Sequence, residues 1–227
     1  MKDFNFDNVE SIVVSEKTRQ RCIDAAGDMS MKKGYFVPPV GLLKFEICNL
    51  VGESHALYMD CDIIRNQPFS ELLYVELDDF YCGVVKDPYR IKTDVREYPV
   101  MERIPEYFNS GVLLMNLQLI RNLKVSDQLF ETKRNLEHRQ LMDQDTFNIV
   151  FQGHVKFIDN KYNSLIPIID DLLNGRKEIT LSQINNFYNK RYNKYIDIPN
   201  EAVFTHYAGG WAKPWNNKKL KDMWSKL

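Results

Sequence analysis

The sequence predicts an α/β domain whose ligands bind at one edge of a sheet. Short apolar runs such as residues 55–59 and 111–116 have the length and composition of buried strands. Stretches with the apolar spacing of helices lie between them, and this alternation is typical of α/β sheets. The chain has 227 residues and contains no internal repeat, low-complexity segment or Gly/Ser linker, so residues 1–227 are predicted to form a single domain.

Each element is predicted from its local pattern. Residues 11–15 are predicted as a short strand, followed by a helix over 16–26 that ends at Gly27. Residues 41–51 have the apolar spacing of a buried helix that leads into the 55–59 strand. Further along, the patterns predict strands at 80–85, 111–116 and 155–158, a helix at 142–151, and a peripheral helix with loops within 174–198.

Composition argues against two classes of site. Thirty Lys and Arg residues against 31 Asp and Glu residues give a formal charge of −1, so no global field favours nucleic acid. The four cysteines show no Cys-x-x-Cys spacing and do not cluster with the four histidines. A zinc site is therefore not expected, and Cys48, Cys61 and Cys82, which lie in apolar runs, are predicted to be reduced core thiols.

The sequence predicts a cytoplasmic location. No apolar stretch approaches the roughly 18 residues that span a bilayer, and the N-terminus lacks a signal-peptide core. The C-terminal region carries a basic tail of Lys213, Lys218, Lys219 and Lys221. This tail is predicted as a solvated helix face, with peripheral contact at the inner face of the membrane as the alternative.

Two carboxylates stand one residue apart at the end of the 55–59 strand. Asp60 and Asp62 would lie at the C-terminal edge of that strand, where open α/β sheets place their ligands. Two hard oxygen ligands suit a divalent cation, which can in turn neutralise a diphosphate. The pattern predicts a site for a phosphate ester or a nucleotide, and the alternative is a solvated turn after a strand.

Three further segments follow this motif in a fixed order. They are Tyr-Phe-Asn-Ser-Gly-Val-Leu-Leu-Met-Asn-Leu at 107–117, Asp-Gln-Asp at 143–145, and His-Tyr-Ala-Gly-Gly-Trp-Ala-Lys-Pro-Trp at 206–215. With Asp60-Cys61-Asp62 they closely resemble glycosyltransferase family 8 over residues 35–224. The resemblance implies a GT-A type nucleotide-diphospho-sugar transferase fold with a mixed, largely parallel sheet. It also implies a retaining enzyme that moves a hexose from a UDP-sugar to a glycan or glycolipid acceptor, such as lipopolysaccharide or another cell-surface glycan.

The resemblance implies a metal site. Asp60 and Asp62 would be two protein ligands, and His206 would supply the third from the far end of the chain. Two carboxylates and an imidazole suit Mn²⁺ better than Mg²⁺, which prefers oxygen ligands, and Mg²⁺ is the alternative. Taken alone, His206 also fits a capped loop histidine beside Tyr207.

The resemblance assigns the donor diphosphate to the C-terminal motif. Lys213 would offset charge on the departing UDP. Gly209 and Gly210 would let the backbone approach phosphate oxygens, because they have no Cβ. Without the motif, Lys213 is one more residue of the basic tail.

The resemblance also indicates which residues would bind the donor sugar and the acceptor. By resemblance, Asn109 would orient the donor sugar, and Ser110 and Gly111 would keep its approach open. Asp143 would bind the sugar. Asp87 would lie near the acceptor side of the site. Asn109 alone also fits a turn residue before a strand, and Asp87 a strand-terminal residue.

Gln144 is the expected catalytic residue, placed by resemblance against the anomeric carbon opposite the leaving group. Retention normally invites a carboxylate nucleophile and a covalent intermediate, but an amide is a poor nucleophile. The sequence therefore favours a same-face substitution in which the UDP oxygen helps to deprotonate the acceptor and Gln144 stabilises an oxocarbenium-like centre. Double displacement stays open.

The sequence also departs from the family pattern. No segment for uracil and ribose precedes Asp60, so the chain is expected to be either N-terminally truncated or a degenerate homologue without activity. Lys44 stands where the family usually has arginine and could replace its charge but not its bidentate geometry. A haloacid dehalogenase-type phosphatase is a further alternative, with Asp170 and Asp171 as its later acidic pair. That class requires Thr or Val where Ile64 stands.

Overall fold

The computed structural model describes residues 9–27, 39–92, 96, 98–136, 141–166, 179–209 and 213. The strands are β1 (His55–Met59), β2 (Ile63–Arg65), β3 (Cys82–Lys86), β4 (Phe108–Asn116), β5 (Val155–Phe157), β6 (Ser164–Leu165) and β7 (Phe204–His206). The α-helices are α1 (Glu16–Ala26), α2 (Ile47–Leu50), α3 (Tyr89–Lys92), α4 (Pro99–Arg103), α5 (Leu117–Asn122), α6 (Val125–Asn135), α7 (Met142–Val150), α8 (Leu181–Tyr188) and α9 (Asp197–Glu201). Single 3₁₀ helices occupy Pro39–Glu46, Ser70–Tyr74 and Asn160–Asn163.

The described strands form two mixed sheets. The larger has the order β1-β4-β3-β5, with β4 antiparallel to both neighbours and β5 parallel to β3. The smaller has the order β2-β7-β6, with β7 antiparallel to β2 and parallel to β6. The mixed α/β class is as predicted, but three of these five pairings are antiparallel, so the expectation of a largely parallel sheet is corrected. In its described residues, the connection from β3 to β4 contains the short helices α3 and α4, and β4 then runs antiparallel beside β3.

Strand β4 is the centre of the core. All nine of its residues are buried, and they alternate between two apolar layers because successive side chains point to opposite faces. Leu113 and Met115 pack in one cluster with the rings of Phe45 and Phe147. Val112 and Leu114 face the other cluster. Burial on both faces makes β4 a rigid support for the polar residues at its N-terminal end.

Several local predictions are confirmed. Helix α1 has the predicted bounds, with Ser15 Oγ accepting a hydrogen bond from the backbone N–H of Thr18 and Gly27 at a φ of 55° after its last turn. Strands β1, β3 and β5 and helix α7 lie within two residues of their predicted positions. The described part of the 174–198 segment holds α8, as expected.

Two predicted elements are wrong in part. Residues 11–15 have no regular secondary structure, because no described strand pairs with them, and Val13 is 93% exposed. The predicted helix over 41–51 is instead a 3₁₀ helix followed by α2. The buried side chains Leu42 and Phe45 of the 3₁₀ helix lie three residues apart, which suits its three residues per turn.

The prediction of core thiols is confirmed for Cys48 and Cys82 and is wrong for Cys61. Cys22, Cys48 and Cys82 are buried free thiols, but Cys61 is exposed because it lies in the turn between β1 and β2. Within the described ranges, no helix is long and apolar enough to cross a membrane. Gly210, the tail residues Lys218, Lys219 and Lys221, and the acidic pair Asp170 and Asp171 lie outside the described residues.

Candidate active site

Pairing of distant strands brings the two ends of the motif pattern together. Asp60 follows β1 directly, and its backbone N–H donates to the carbonyl oxygen of Gly111 on β4 (2.8 Å). Asp62 lies in the turn before β2, whose antiparallel pairing with β7 sets Ile63 opposite His206. The backbone N–H of Tyr207 then donates to the carbonyl oxygen of Asp62 (3.0 Å). The three residues predicted as metal ligands therefore meet at one point.

The side chains of these three residues converge. Nε2 of His206 lies 3.5 Å from Oδ1 of Asp62 and 3.8 Å from Oδ2 of Asp60. One ligand atom from each residue lies within 4.8 Å of the others. Burial, together with the charge of Lys44, lowers the pKa of His206 to about 4 despite the opposing charges of Asp60 and Asp87. The imidazole is therefore neutral at pH 7, as a metal ligand must be.

The donor set fits a divalent cation. Nδ1 of His206 lies 2.9 Å from Oδ1 of Asn163, so Nε2 is the ring nitrogen that faces the carboxylates. A neutral nitrogen lone pair against two carboxylates is unfavourable without a positive charge among them. The ammonium group of Lys213 contacts Oδ2 of Asp62 and shows that this position accepts a cation. One nitrogen and two oxygen ligands leave open positions for phosphate oxygens.

Glycine at 111 makes room for the imidazole. A Cβ at this position would overlap Cε1 and Nδ1 of His206 and lie 3.0 Å from Oδ1 of Asn109. The sequence pattern gave Gly111 only the role of keeping the approach open. Its contact with the ring depends on the β2–β7 pairing, which no local pattern reveals.

Lys44 joins two of the predicted site residues. Its Nζ lies 2.8 Å from Oδ2 of Asp143 and 2.9 Å from Oδ1 of Asp60. Burial on its own would lower the pKa of Lys44, but Asp143 and Asp60 raise it above the ordinary value. Tyr58, which sequence reasoning missed, donates to Oδ1 of Asp60 (2.6 Å), and Ser110 Oγ donates to Oδ2 of Asp143 (2.8 Å). The positive charge of Lys44 thus offsets the electrostatic repulsion between the carboxylates of Asp60 and Asp143.

Gln144 is held by a buried network. Its Oε1 accepts from Asn109 Nδ2 (3.0 Å) and from the backbone N–H of Ser110 (3.1 Å), and its Nε2 donates to Oδ2 of Asp87 (2.9 Å). Burial raises the pKa of Asp87, while hydrogen bonds from the backbone of Tyr89 and from Gln144 and Asn109 oppose that rise. The amide of Gln144 is therefore fixed in one orientation on the floor of the site.

The residues of this network line one cavity of about 370 Å³. Asp60, Asp62, His206 and Lys213 lie close to one another in this lining, and we call this part of the cavity its charged end. The lining also contains residues that sequence reasoning missed, and because they pack in one apolar cluster we call this part the aromatic end: Tyr89, Tyr98, Met101 and Leu141. Nothing in the sequence distinguishes these side chains from ordinary core residues.

The C-terminal motif lies against the charged end. Nζ of Lys213 also donates to the carbonyl oxygen of Tyr207 (3.1 Å), and burial lowers the pKa of Lys213. Gly209 lines the cavity with a φ of 86°, a backbone conformation that favours glycine. Predicted site residues from five separate segments thus surround one space.

Comparison with known proteins identifies the family. The model of Glycosyl transferase family 8 matches residues 5–219. The chain belongs to glycosyltransferase family 8. This confirms the resemblance drawn from the four motifs and removes the phosphatase alternative.

Characterised relatives are longer than this chain. A lipopolysaccharide 1,2-glucosyltransferase of Escherichia coli is 28% identical over 165 residues, which are 71% of this chain and 44% of that protein. Glycosyltransferase GlyB of Streptococcus pneumoniae is 26% identical over 186 residues, 80% of this chain and 40% of that protein. A lipopolysaccharide 1,3-galactosyltransferase of Salmonella typhimurium is 29% identical over 167 residues, with coverage of 71% and 44%. The chain thus spans less than half the length of these relatives.

Solved structures show the same fold. The bifunctional glycosyltransferase WbbM matches with a TM-score of 0.63 at 21% identity, over 81% of this chain and 34% of that one. The galactosyltransferase LgtC, solved with donor and acceptor sugar analogues, matches with a TM-score of 0.59 at 21% identity, over 84% and 68%. The predicted GT-A fold is confirmed.

Proposed function

We propose that this chain is a retaining hexosyltransferase that uses a UDP-sugar donor and a divalent cation, Mn²⁺ or alternatively Mg²⁺. The observation that carries the proposal is the cluster of Asp60, Asp62 and His206 at one end of a cavity. Family membership supplies the reaction class. The names of the relatives, which are lipopolysaccharide glucosyl- and galactosyltransferases, favour a hexose as the group transferred and a cell-surface glycan as the acceptor.

The charged end of the cavity would bind the donor. Asp60, Asp62 and His206 would hold the cation, which neutralises diphosphate charge when bound. Lys213 would exchange Asp62 for a phosphate oxygen and stabilise the negative charge on the departing UDP. Its position beside a carboxylate of the site supports this role, because the same ammonium can reach either anion.

The donor sugar would lie over the floor of the site. Asp143 can accept hydrogen bonds from sugar hydroxyls while Lys44 and Ser110 fix its carboxylate. Asn109 and Gln144 would form the surface beneath the anomeric carbon. The dipoles of these two amides are already oriented, so they need not reorient as positive charge develops on the anomeric carbon. Such pre-organised dipoles stabilise a developing charge most effectively.

The transfer would occur on one face of the sugar. The acceptor hydroxyl oxygen forms a bond to the anomeric carbon, and the bond from that carbon to the β-phosphate oxygen breaks with its electron pair going to UDP. The hydroxyl proton passes to the same phosphate oxygen. Gln144 has no anionic oxygen with which to form a covalent intermediate, and its amide stays oriented by Asp87.

The aromatic end of the cavity would bind the acceptor. Tyr89 and Tyr98 line it together with Met101, and a sugar ring can place its apolar face against an aromatic side chain while its hydroxyls remain in water. The carboxylate of Asp87 accepts hydrogen bonds both from the backbone N–H of Tyr89 (2.9 Å) and from Nε2 of Gln144 (2.9 Å). We therefore place the acceptor hydroxyl above Asp87.

Donor hydrolysis tests the proposal without knowledge of the acceptor. Purified chain is incubated with UDP-glucose or UDP-galactose, and the anomer of the released hexose is followed by NMR. The proposal predicts Mn²⁺-dependent release of UDP with the α-anomer appearing first. We expect Asp62→Asn to abolish release and the exposed control Asp79→Asn to leave it unchanged. Donor binding with no release of UDP in the parent would favour a degenerate homologue instead.

A further inference from the structure

We propose that Asn163 is a positioning residue that fixes the tautomer and ring orientation of His206. Its side chain is 1% exposed, at the end of the 3₁₀ helix that precedes β6. The parallel pairing of β6 with β7 sets the next residue, Ser164, opposite Thr205 and so brings Asn163 beside the imidazole. The inference rests on the proposed function, because it presupposes a cation at His206.

Two backbone groups fix the direction of the hydrogen bonds in this part of the site. The N–H of Ser110 donates to Oε1 of Gln144 (3.1 Å), and the N–H of Gly111 donates to Oδ1 of Asn109 (2.9 Å). A backbone N–H can only donate. The amide oxygens of Gln144 and Asn109 must therefore lie at these positions, and their NH₂ groups must point the other way.

The direction passes along the chain of amides to His206. Asn163 Nδ2 donates to the oxygen of Asn109 (2.9 Å), so Oδ1 of Asn163 is the atom that faces Nδ1 of His206 (2.9 Å). An amide oxygen can only accept. Nδ1 therefore carries the hydrogen, and the lone pair is at Nε2, on the side of Asp60 and Asp62.

The uncharged amide also suits the charge of the site. Two carboxylates and a neutral imidazole balance one divalent cation. A partner that accepts a hydrogen bond from the far ring nitrogen orients a ligating histidine and increases its basicity, and loss of such a partner typically costs 10–100-fold in metal affinity. Asn163 supplies this acceptor without a further buried negative charge.

The first test is binding of Mn²⁺ alone, measured by the loss of the free-ion EPR signal. Asn163→Leu keeps the side-chain size and removes the acceptor, and we expect Mn²⁺ affinity to fall 10–100-fold. Asn163→Asp restores an acceptor oxygen and should recover most of that affinity. The exposed control Asn186→Leu should bind as the parent does. Equal affinity in Asn163→Leu and the parent, or no recovery in Asn163→Asp, would overturn the inference.

A second test needs no substitution at Asn163. Long-range ¹H–¹⁵N NMR spectra of the parent in chelator report the tautomer of His206, and the absence of that signal in His206→Asn assigns it. We expect protonated Nδ1 and unprotonated Nε2, and the opposite tautomer would overturn the inference. If the parent shows this tautomer but does not bind Mn²⁺, the proposed function fails while the placement of the ring by Asn163 stands.

Discussion

The substitution Gly111→Ala should disable the site with little change elsewhere. The added methyl group would overlap two atoms of the His206 ring, whereas ordinary carbon contacts are about 3.5–4.0 Å. The ring would have to move by at least about 1 Å from its present position beside the two carboxylates. A misplacement of this size can cost about 100-fold in rate, or about 2.7 kcal/mol of transition-state stabilisation.

Steady-state donor hydrolysis and Mn²⁺ binding measure the effect of Gly111→Ala. We expect kcat/KM to fall about 100-fold and Mn²⁺ affinity to fall with it. The matched control is Gly83→Ala on the neighbouring strand β3, where a new Cβ would lie at 3.4 Å from its nearest neighbours, an ordinary contact. Parent-like Mn²⁺ affinity in Gly111→Ala would refute the placement of His206 as a ligand.

Three other predictions follow from the same geometry. Lys44→Met removes the ion-pair partner of the carboxylates of Asp60 and Asp143, so the free energy of unfolding measured with urea should fall by about 3 kcal/mol. A fall of less than about 0.5 kcal/mol would contradict the ion-pair role. Tyr98→Ala should raise the KM for simple hexosides as acceptors about tenfold and leave the release of UDP without acceptor unchanged. An equal effect on both reactions would contradict a role of Tyr98 in acceptor binding. Because burial lowers the pKa of His206 to about 4, the unfolded chain binds more protons between pH 6.5 and 4. In the presence of chelator, the free energy of unfolding should therefore have its full value above pH 6.5 and decrease as the pH falls from 6.5 to 4, by up to about 1.4 kcal/mol per pH unit. The substitution His206→Gln should remove this pH dependence.

Local sequence patterns correctly predicted the elements that are determined by residues close to them in the chain. Helix α1 has its predicted bounds because its cap and terminal glycine lie in the sequence itself. Asp60 and Asp62 could be placed at a strand end from apolar patterning alone. Residues 11–15 illustrate the limit, since strand propensity produces a strand only where a partner strand is present, and none is described beside them.

The rest of the site depends on pairings between distant segments. His206 was included only through the family resemblance, because the β2–β7 register that brings it to Asp62 joins segments that are far apart in the chain. The contact of Gly111 with the imidazole depends on that same register, and the contact of Asn163 depends on the pairing of β6 with β7. Tyr58 and Tyr98 gave no signal, since a tyrosine in an apolar segment fits a core position equally well.

Anomalous X-ray diffraction from crystals grown with Mn²⁺ and UDP would locate the cation in the cavity. The proposed metal site predicts one strong Mn²⁺ peak at about 2.0–2.3 Å from an oxygen of Asp60, an oxygen of Asp62 and Nε2 of His206, with diphosphate oxygens completing the coordination. The ammonium of Lys213 should then contact a phosphate rather than Asp62. UDP bound in the cavity with no metal peak between the three side chains, or a peak that excludes His206, would contradict it.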